Sequence, residues 1–318
     1  MKKSLQKILS LALIGVVALL IIIGRGHFIL PANNSTGVVL SEKIVNNKTV
    51  DANRTSSDGK LKIFYLDVGQ GDAILIETPY GQTILIDGGP NNKVINELGG
   101  VMPFWDKHID MMILTHPHAD HLVGLVEVLR RYDVKRVYYT GVAYSTAEYT
   151  TWLNEIAQRK LPLYIVKEYS EVDLGADLKL EFVYPLKDLS GKNVPDINNS
   201  SIVCLLIYKN EQFIFTGDLQ EAGEADLVEA DKGDERYDLK SDVLKVGHHG
   251  SHTSTSDIFL SAVHPGISVI SVGANNTFGH PHLRTVKRLE RANVEILRTD
   301  QLGTIEIESD GNSVIVNE

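Results

Sequence analysis

Apolar positions from residue 61 onwards fall into short runs separated by polar residues. Leu61 to Val68, Ala73 to Thr78 and Thr83 to Asp87 each predict a strand, and Pro79-Tyr80-Gly81-Gln82 favours a tight turn between the last two. After this hairpin, runs that predict strands alternate with apolar positions at helical spacing. The pattern predicts an α/β fold in which helices cover a mixed sheet.

The second half of the chain repeats this plan. In each half an apolar strand ends in an acid beside glycine, at Asp87 and at Asp218. Two similar halves packed sheet against sheet, with acids and histidines along one edge, are therefore expected. The remaining predicted strands are 110–115, 135–140, 162–167, 177–184, 201–208, 211–216, 242–246, 267–272, 294–298, 303–308 and 313–316, and the predicted helices lie near 120–131, 146–159, 220–230, 256–263 and 282–292.

Residues 1–30 form a region of a different kind. After three lysines, the segment Ile8 to Gly24 is uncharged and mostly Leu, Ile, Val and Ala, and as a helix it would span about 25 Å. It is either a cleaved signal peptide or an uncleaved membrane anchor, and the lack of a clear small-residue cleavage site favours the anchor. The positive flank predicts a cytoplasmic N-terminus and an extracytoplasmic domain; cleavage would make the protein secreted.

Residues 31–60 are rich in Asn, Ser, Thr, Val and Gly and predict a flexible linker to a domain at residues 61–318. The net charge is -10; residues 1–30 carry four positive charges and no acid, so the rest carries -14. An acidic domain has no general attraction for DNA or anionic lipid, so metal ions and local cations would have to hold a polyanion. The single cysteine, Cys204, lies in an apolar run and favours a small buried side chain over catalysis.

Metal-ligand side chains are concentrated in His116-Pro117-His118-Ala119-Asp120-His121, between an apolar run and a helical pattern. Residues two apart in an extended segment face the same way, so His116 and His118 can approach one ion, while the turn into the helix directs Asp120 and His121 toward a second. Imidazole and carboxylate ligands without thiolate are typical of catalytic rather than structural metal. Two further groups of histidines, His248-His249 with His252 and His280 with His282, support a metal centre.

Six motifs in this order resemble the metallo-β-lactamase superfamily, and within it the extracytoplasmic hydrolase domain of the competence protein ComEC. The resemblance covers about residues 61–318 and implies a four-layer αββα sandwich with a metal site at one sheet edge. The motifs are Leu66-Asp67-Val68-Gly69-Gln70-Gly71-Asp72-Ala73, Ile84-Leu85-Ile86-Asp87-Gly88-Gly89, Thr115 to His121, Thr216-Gly217-Asp218, Lys245-Val246-Gly247-His248-His249-Gly250-Ser251 and Asn276-Thr277-Phe278-Gly279-His280-Pro281.

The resemblance implies a centre of two divalent ions, zinc or manganese. Its ligands would include a carboxylate that bridges the ions, Asp218, and a histidine that completes the second site, His248. Asp87 is interpreted either as an acid that orients a ligand histidine or as a turn-capping acid. The full set of implied metal ligands is His116, His118, Asp120, His121, Asp218 and His248.

Two positions leave the ligand set open. No histidine lies between His121 and His248, where the wider superfamily has a ligand; residues 196–201 (Asp-Ile-Asn-Asn-Ser-Ser) occupy that interval, so the first metal site is less well defined. Adjacent His248 and His249 cannot both be expected to face the metal, and His249 is predicted either as a catalytic acid or as a solvated side chain. His280 is a further catalytic candidate, either as a proton donor or substrate contact or as a loop histidine.

The predicted function is that of an exported, membrane-tethered hydrolase with two metal ions. The resemblance favours a phosphodiester substrate, in nucleic acid or in another extracytoplasmic polymer, with Asp120, His249 and His280 as catalytic residues. An acyl hydrolase such as a β-lactamase or lactonase is the enzymatic alternative. A metal-stabilised module that binds DNA without turnover is the alternative from another class. The membrane is the expected partner of the N-terminal helix, and no protein partner is indicated.

Overall fold

The computed structural model describes residues 59–317 and, before them, only three short strands, β1 (Phe28–Ile29), β2 (Val39–Leu40) and β3 (Glu42–Ile44). β1 and β2 pair antiparallel. The predicted membrane segment and most of the predicted linker lie outside the described residues. Within the described part of the chain, no helix is long and apolar enough to span a membrane.

The first sheet combines the strands of the first half with the closing hairpin of the chain. Its antiparallel hairpin and the following parallel strands correspond to the predicted runs, each shortened by a residue or more at its ends. The order is β20-β19-β4-β5-β6-β8-β10-β11, with β3 at the far edge. The strands are β4 (Leu61–Tyr65), β5 (Ile74–Glu77), β6 (Thr83–Ile86), β8 (Met111–Ile113), β10 (Val137–Tyr139), β11 (Leu163–Ile165), β19 (Ile305–Ser309) and β20 (Val314–Asn317).

The second sheet has seven strands in sequence order, antiparallel at its start and parallel from β15 onwards. A strand that the apolar pattern did not predict, at Ser170–Gly175, forms its first edge. A separate two-stranded ladder joins β7 (His108–Ile109) to β9 (Asp133–Val134). The strands of the second sheet are β12 (Ser170–Gly175), β13 (Leu178–Tyr184), β14 (Val203–Tyr208), β15 (Glu211–Phe215), β16 (Val243–Lys245), β17 (Ile267–Ile270) and β18 (Glu295–Arg298).

The two sheets share one apolar core, and helices pack on their outer faces. Ile63 from the first sheet and Phe213 from the second belong to the same buried cluster. On the far side of the second sheet, Ile214 packs with Leu227 of a helix. The predicted four-layer αββα arrangement is therefore present in the described residues. The helices are α1 (Lys93–Val101), α2 (Ala119–Arg131), α3 (Ala147–Arg159), α4 (Glu221–Gly233), α5 (Asp257–Val263), α6 (Leu283–Arg291) and α7 (Thr299–Leu302).

The carboxyl ends of parallel strands in both sheets meet at one edge of the sandwich. β6 pairs in parallel with β8, and β15 with β16, so the loops that follow all four strands open on that edge. Close backbone contacts fix these loops to the start of α2. A Cβ atom at Gly124 would lie 1.8 Å from the carbonyl oxygen of Gly88, and one at Gly71 would lie 2.2 Å from that of Asp120, so only glycine fits at either position.

Candidate metal centre

Four imidazoles converge on one carboxylate oxygen at this edge. Asp218 follows β15, and its Oδ2 lies 3.3 Å from His121 Nε2 and 3.5 Å from His249 Nε2. The Nε2 atoms of His248 and His116 are 3.8 and 3.9 Å from the same oxygen. Asp218 and all of these histidines except His248 are almost fully buried. A buried carboxylate surrounded by imidazole nitrogens is suited to bridging cations, since it can offer one oxygen to each.

The tightest group consists of Asp120, His121, Asp218 and His249, whose donor atoms all lie within 4.8 Å of one another. Asp120 Oδ2 is 3.3 Å from His249 Nε2. Within residues 59–317, Nε2 of His116, His121 and His249 and Oδ1 of Asp218 are buried without a hydrogen-bond partner. Buried polar atoms without partners are costly, and a divalent ion would satisfy them. The donor set therefore fits a divalent metal ion.

Asp87 orients the ring of His121 through a hydrogen bond to its Nδ1 atom. Its Oδ2 lies 2.8 Å from His121 Nδ1, and its two oxygens accept hydrogen bonds from the backbone N–H and hydroxyl of Thr115 at 2.8 and 2.7 Å. The sequence-based interpretation of Asp87 as the acid that orients a ligand histidine agrees with this contact. The Nδ1 contact leaves Nε2 of His121 directed at Asp218, as a metal ligand requires.

Asp72 and Lys245 form a buried ion pair that the sequence analysis did not assign to the site. Both side chains are almost completely buried, and the Lys245 ammonium contacts Asp72 Oδ2 and donates to the carbonyl oxygen of Gly217 at 3.0 Å. Asp72 Oδ1 in turn lies 3.3 Å from His249 Nδ1. Asp72 therefore places a negative charge beside the His249 ring, whereas the hydrogen bond of His249 Nδ1 goes to the carbonyl oxygen of Ser271. The signal in the sequence was a lysine that ends an otherwise apolar strand, β16.

The charges of the site depend on one another. Burial would raise the pKa of Asp218, but the adjacent His249 and His121 hold it well below its usual range. Burial would lower the pKa of His249, but Asp218 and Asp72 raise it to about 9. Burial, followed by the charge of His121, holds the pKa of His116 well below its usual value. An ion bound at His249 Nε2 therefore displaces a proton, so metal affinity rises with pH up to the region of that pKa.

His248 and His249 differ in their surroundings although both have left-handed backbone angles, φ 49° and φ 54°. His249 is buried and places Nδ1 3.0 Å from the carbonyl oxygen of Ser271, where an N–H donates, which leaves Nε2 free toward Asp218. The His248 side chain is 22% exposed and has its Nδ1 3.3 Å from the hydroxyl of Thr253. The geometry favours His249 for the ligand position that sequence reasoning gave to His248.

The first predicted site is built from fewer imidazoles. The rings of His116 and His118 lie 4.8 Å apart, but neither belongs to the tight group around Asp120. The Ser201 hydroxyl is 3.4 Å from His116 Nδ1 and accepts a hydrogen bond from the backbone N–H of Asp218 at 3.0 Å. The segment 196–201 thus borders His116 at its Nδ1 atom, and it contains oxygen-bearing side chains and no histidine.

Aromatic rings line two sides of the centre. His280 lies 5.6 Å from His248 and 6.3 Å from His249 between ring centroids, so the structure brings this predicted residue to the site. Burial and the two neighbouring histidines lower the pKa of His280 to about 4, which makes it a neutral ring near pH 7. On the other side, Tyr144 lies 6.1 Å from His118. Sequence reasoning did not identify Tyr144, because no motif contains it.

Comparison with known proteins agrees with this fold. The model of the metallo-beta-lactamase superfamily matches residues 66–274. ComE operon protein 3 of Bacillus subtilis is 31% identical over 269 residues, which covers 79% of this chain and 33% of that protein. Competence protein ComA of Neisseria gonorrhoeae is 29% identical, covering 76% of this chain and 31% of that protein. The chain thus spans about a third of the length of these curated relatives.

Among solved structures, CmlA, a diiron β-hydroxylase from Streptomyces venezuelae, superposes with a TM-score of 0.50 at 13% identity. The match covers 75% of this chain and 52% of that one. At this level of identity the likeness shows the fold alone.

Proposed function

We propose that this chain, which belongs to the metallo-beta-lactamase superfamily, is a two-metal hydrolase that cleaves phosphodiesters, most naturally in nucleic acid. The observation that carries the proposal is the convergence of His116, His121 and His249 on Asp218 Oδ2, with their Nε2 atoms buried and without partners among the described residues. Such a donor set serves divalent zinc or manganese.

Two groups of residues would bind the two metal ions of the proposed reaction. The tight group of Asp120, His121, Asp218 and His249 would hold one ion, and His116 and His118 would share Asp218 with the other. Two divalent ions would activate water and stabilise both the attacking and the leaving oxygen of an in-line displacement. Asp120, 31% exposed in its side chain, lies where it can also orient the attacking water. His280 borders the centre as a neutral ring near pH 7, which suits it to a contact with the substrate and not to the predicted role of proton donor.

Two observations support a phosphodiester over an acyl substrate. The relatives that match most of this domain include competence protein ComA of Neisseria gonorrhoeae, whose name connects it with competence. The interval 196–201 contains oxygen-bearing side chains and no histidine, a composition that would suit manganese at the first site. Both agree with the ComEC-like motifs.

A panel of substrates tests the proposal. The full chain, loaded separately with Zn²⁺ and Mn²⁺, should hydrolyse single-stranded DNA and bis-nitrophenyl phosphate, and should lose both activities in EDTA. Asp218→Ala, loaded in the same way, is the inactive control, because it removes the oxygen on which the imidazoles converge. Nitrophenyl phosphorylcholine and nitrocefin complete the panel, with turnover followed by absorbance.

Each other outcome of the panel selects a different function. Turnover of nitrocefin alone would make the protein an acyl hydrolase. Turnover of nitrophenyl phosphorylcholine alone would keep the phosphodiester chemistry and exclude nucleic acid. Stoichiometric metal binding with no turnover of any substrate would leave a metal-stabilised binding module.

We further propose that the domain acts outside the cytoplasm, attached to the membrane by the segment Ile8 to Gly24. The support is the sequence pattern alone, in which three lysines precede an uncharged apolar run. Protease added to intact cells should remove an epitope placed in the domain, while a cytoplasmic marker protein stays intact. Resistance of the epitope until the cells are lysed would show that the topology is wrong.

A further inference from the structure

Phe278 is an exposed aromatic residue held in a fixed position beside the metal centre. The residue is 68% exposed, and its ring stacks on His280 with centroids 5.9 Å apart and an interplanar angle of 24°. His280 in turn lies 5.6 Å from His248, whose Nε2 is 3.8 Å from Asp218 Oδ2. A continuous series of rings therefore connects Phe278 to the carboxylate at the centre of the site.

The loop that carries Phe278 is rigidly tied. The side-chain oxygen of Asn276 accepts hydrogen bonds from the backbone N–H groups of Phe278 at 3.2 Å and His280 at 3.0 Å, and its amide donates to the carbonyl oxygens of Gly273 and His280. The loop is also joined to the segment after β16, because His282 N donates to the carbonyl oxygen of Gly250 at 2.9 Å. Single exposed apolar side chains are common on protein surfaces and do not indicate a function. An exposed aromatic ring on a loop that is fixed by these contacts beside a metal centre does indicate one.

The opposite rim has a matching ring. Tyr144 is half-buried, lies 6.1 Å from His118, and rests against Tyr149 at 5.9 Å. Tyr149 stacks on the buried Trp152, so the position of Tyr144 is supported by packed aromatic side chains. Successive ring contacts lead from Tyr144 to Phe278 through His118, His116, His121, His249 and His280. An extended single strand of nucleic acid has a base on each side of every phosphodiester, and aromatic side chains stack on unpaired bases of any sequence.

We propose that Phe278 is a base-stacking position of this site, and that Tyr144 receives the base on the other side of the scissile phosphate. The substrate class is accordingly single-stranded nucleic acid, since the bases of a duplex are already stacked and paired. This inference rests on the proposed phosphodiesterase function. The exposed Arg284, six residues after Phe278 in the first turn of α6, supplies a cation on the same segment of the chain for the substrate backbone.

Phe278→Ala in the full chain, loaded with Mn²⁺, tests the inference. KM for a short single-stranded oligonucleotide should rise about 5- to 150-fold, the range that stacking of one base on an aromatic ring corresponds to. The kcat should stay within about twofold, because Phe278 touches no reacting atom. Phe278→Trp should restore KM. A strand of equal length with abasic sites flanking the cleaved bond should be hydrolysed equally by wild type and Phe278→Ala.

Phe104→Ala is the matched control. Phe104 is 80% exposed, but it lies before β7 at the amino end of β8, on the edge opposite the metal centre. An unchanged KM in Phe278→Ala, relative to this control, would overturn the inference while leaving the hydrolase function intact. Binding of a labelled oligonucleotide, followed by fluorescence anisotropy, tests the stacking position even if no phosphodiester is hydrolysed. Weaker binding in Phe278→Ala than in Phe104→Ala supports it, and equal binding refutes it.

Discussion

His249→Ala should lose one of two bound metal ions and reduce the rate of hydrolysis by about two to four orders of magnitude, as expected when a positioned electrostatic group is removed. His249 Nε2 is buried, lies 3.3 Å from Asp120 Oδ2 and 3.5 Å from Asp218 Oδ2, and has no hydrogen-bond partner within residues 59–317. The loss of metal affinity should exceed the roughly 10- to 100-fold that removal of a group behind a ligand costs. Elemental analysis after gel filtration measures the stoichiometry, and competition with a chelator measures the affinity.

The neighbouring residue provides the control. His248→Ala removes an imidazole of the same size from the same loop, but one that is 22% exposed and 3.8 Å from Asp218 Oδ2. Its metal content should remain that of the wild type. Full occupancy in His249→Ala combined with loss of an ion in His248→Ala would return the ligand role to His248, as the sequence analysis predicted.

Lys245→Met should lower the free energy of unfolding of the metal-free protein by about 3–5 kcal/mol, the typical result of removing one partner from a buried ion pair. Methionine has a volume similar to that of lysine, so the decrease in the free energy of unfolding reports the removal of the charge and not the creation of a cavity. Without the ammonium, the buried carboxylate of Asp72 has lost its closest cation, and the carbonyl oxygen of Gly217 has lost a donor. Urea denaturation in EDTA measures the effect without a contribution from bound metal.

Lys93→Met is the matched control for this prediction. Lys93 also pairs with an aspartate, Asp67, at 2.7 Å, but the two side chains are 38% and 30% exposed. Removal of such a surface pair should cost at most about 1 kcal/mol. The double variant Lys245→Met with Asp72→Asn should recover part of the lost stability, because it removes both charges. A cost for Lys245→Met no larger than for Lys93→Met would show that the buried pair does not stabilise the fold.

Most of the secondary structure could be predicted because the strands are apolar runs and the helices have regular apolar spacing. Two of the elements that were not predicted show why. The helix Lys93–Val101 contains Gly99 and Gly100 in its last turn and has no side-chain cap at its start, so it lacks ordinary helix signals. The edge strand Ser170–Gly175 buries only two of its six residues, and its polar composition conceals it.

The site was predictable in its composition but not in its inner geometry. The cluster from His116 to His121 is local in the sequence, and its spacing alone indicates a metal centre. The choice between His248 and His249 depends on two successive residues in the left-handed conformation, which is uncommon for any residue other than glycine, so the sequence does not show which ring faces the metal. The pair of Asp72 and Lys245 joins residues from different sheets, so it becomes visible only when the sandwich has formed.

The strand directions also determine at which end of the domain a tether, tag or solid support leaves the metal centre accessible. β4 runs from Leu61 toward the loop that carries Asp72, so the chain enters the domain at the edge opposite the metal centre. The last strand returns to the other edge, since Asn317 pairs with Glu306, next to the Ile305 that pairs with Tyr65. A tether, tag or solid support joined before residue 59 therefore leaves the mouth of the site facing free solution. The same group joined after residue 317 is placed on the edge where a polymeric substrate has to approach.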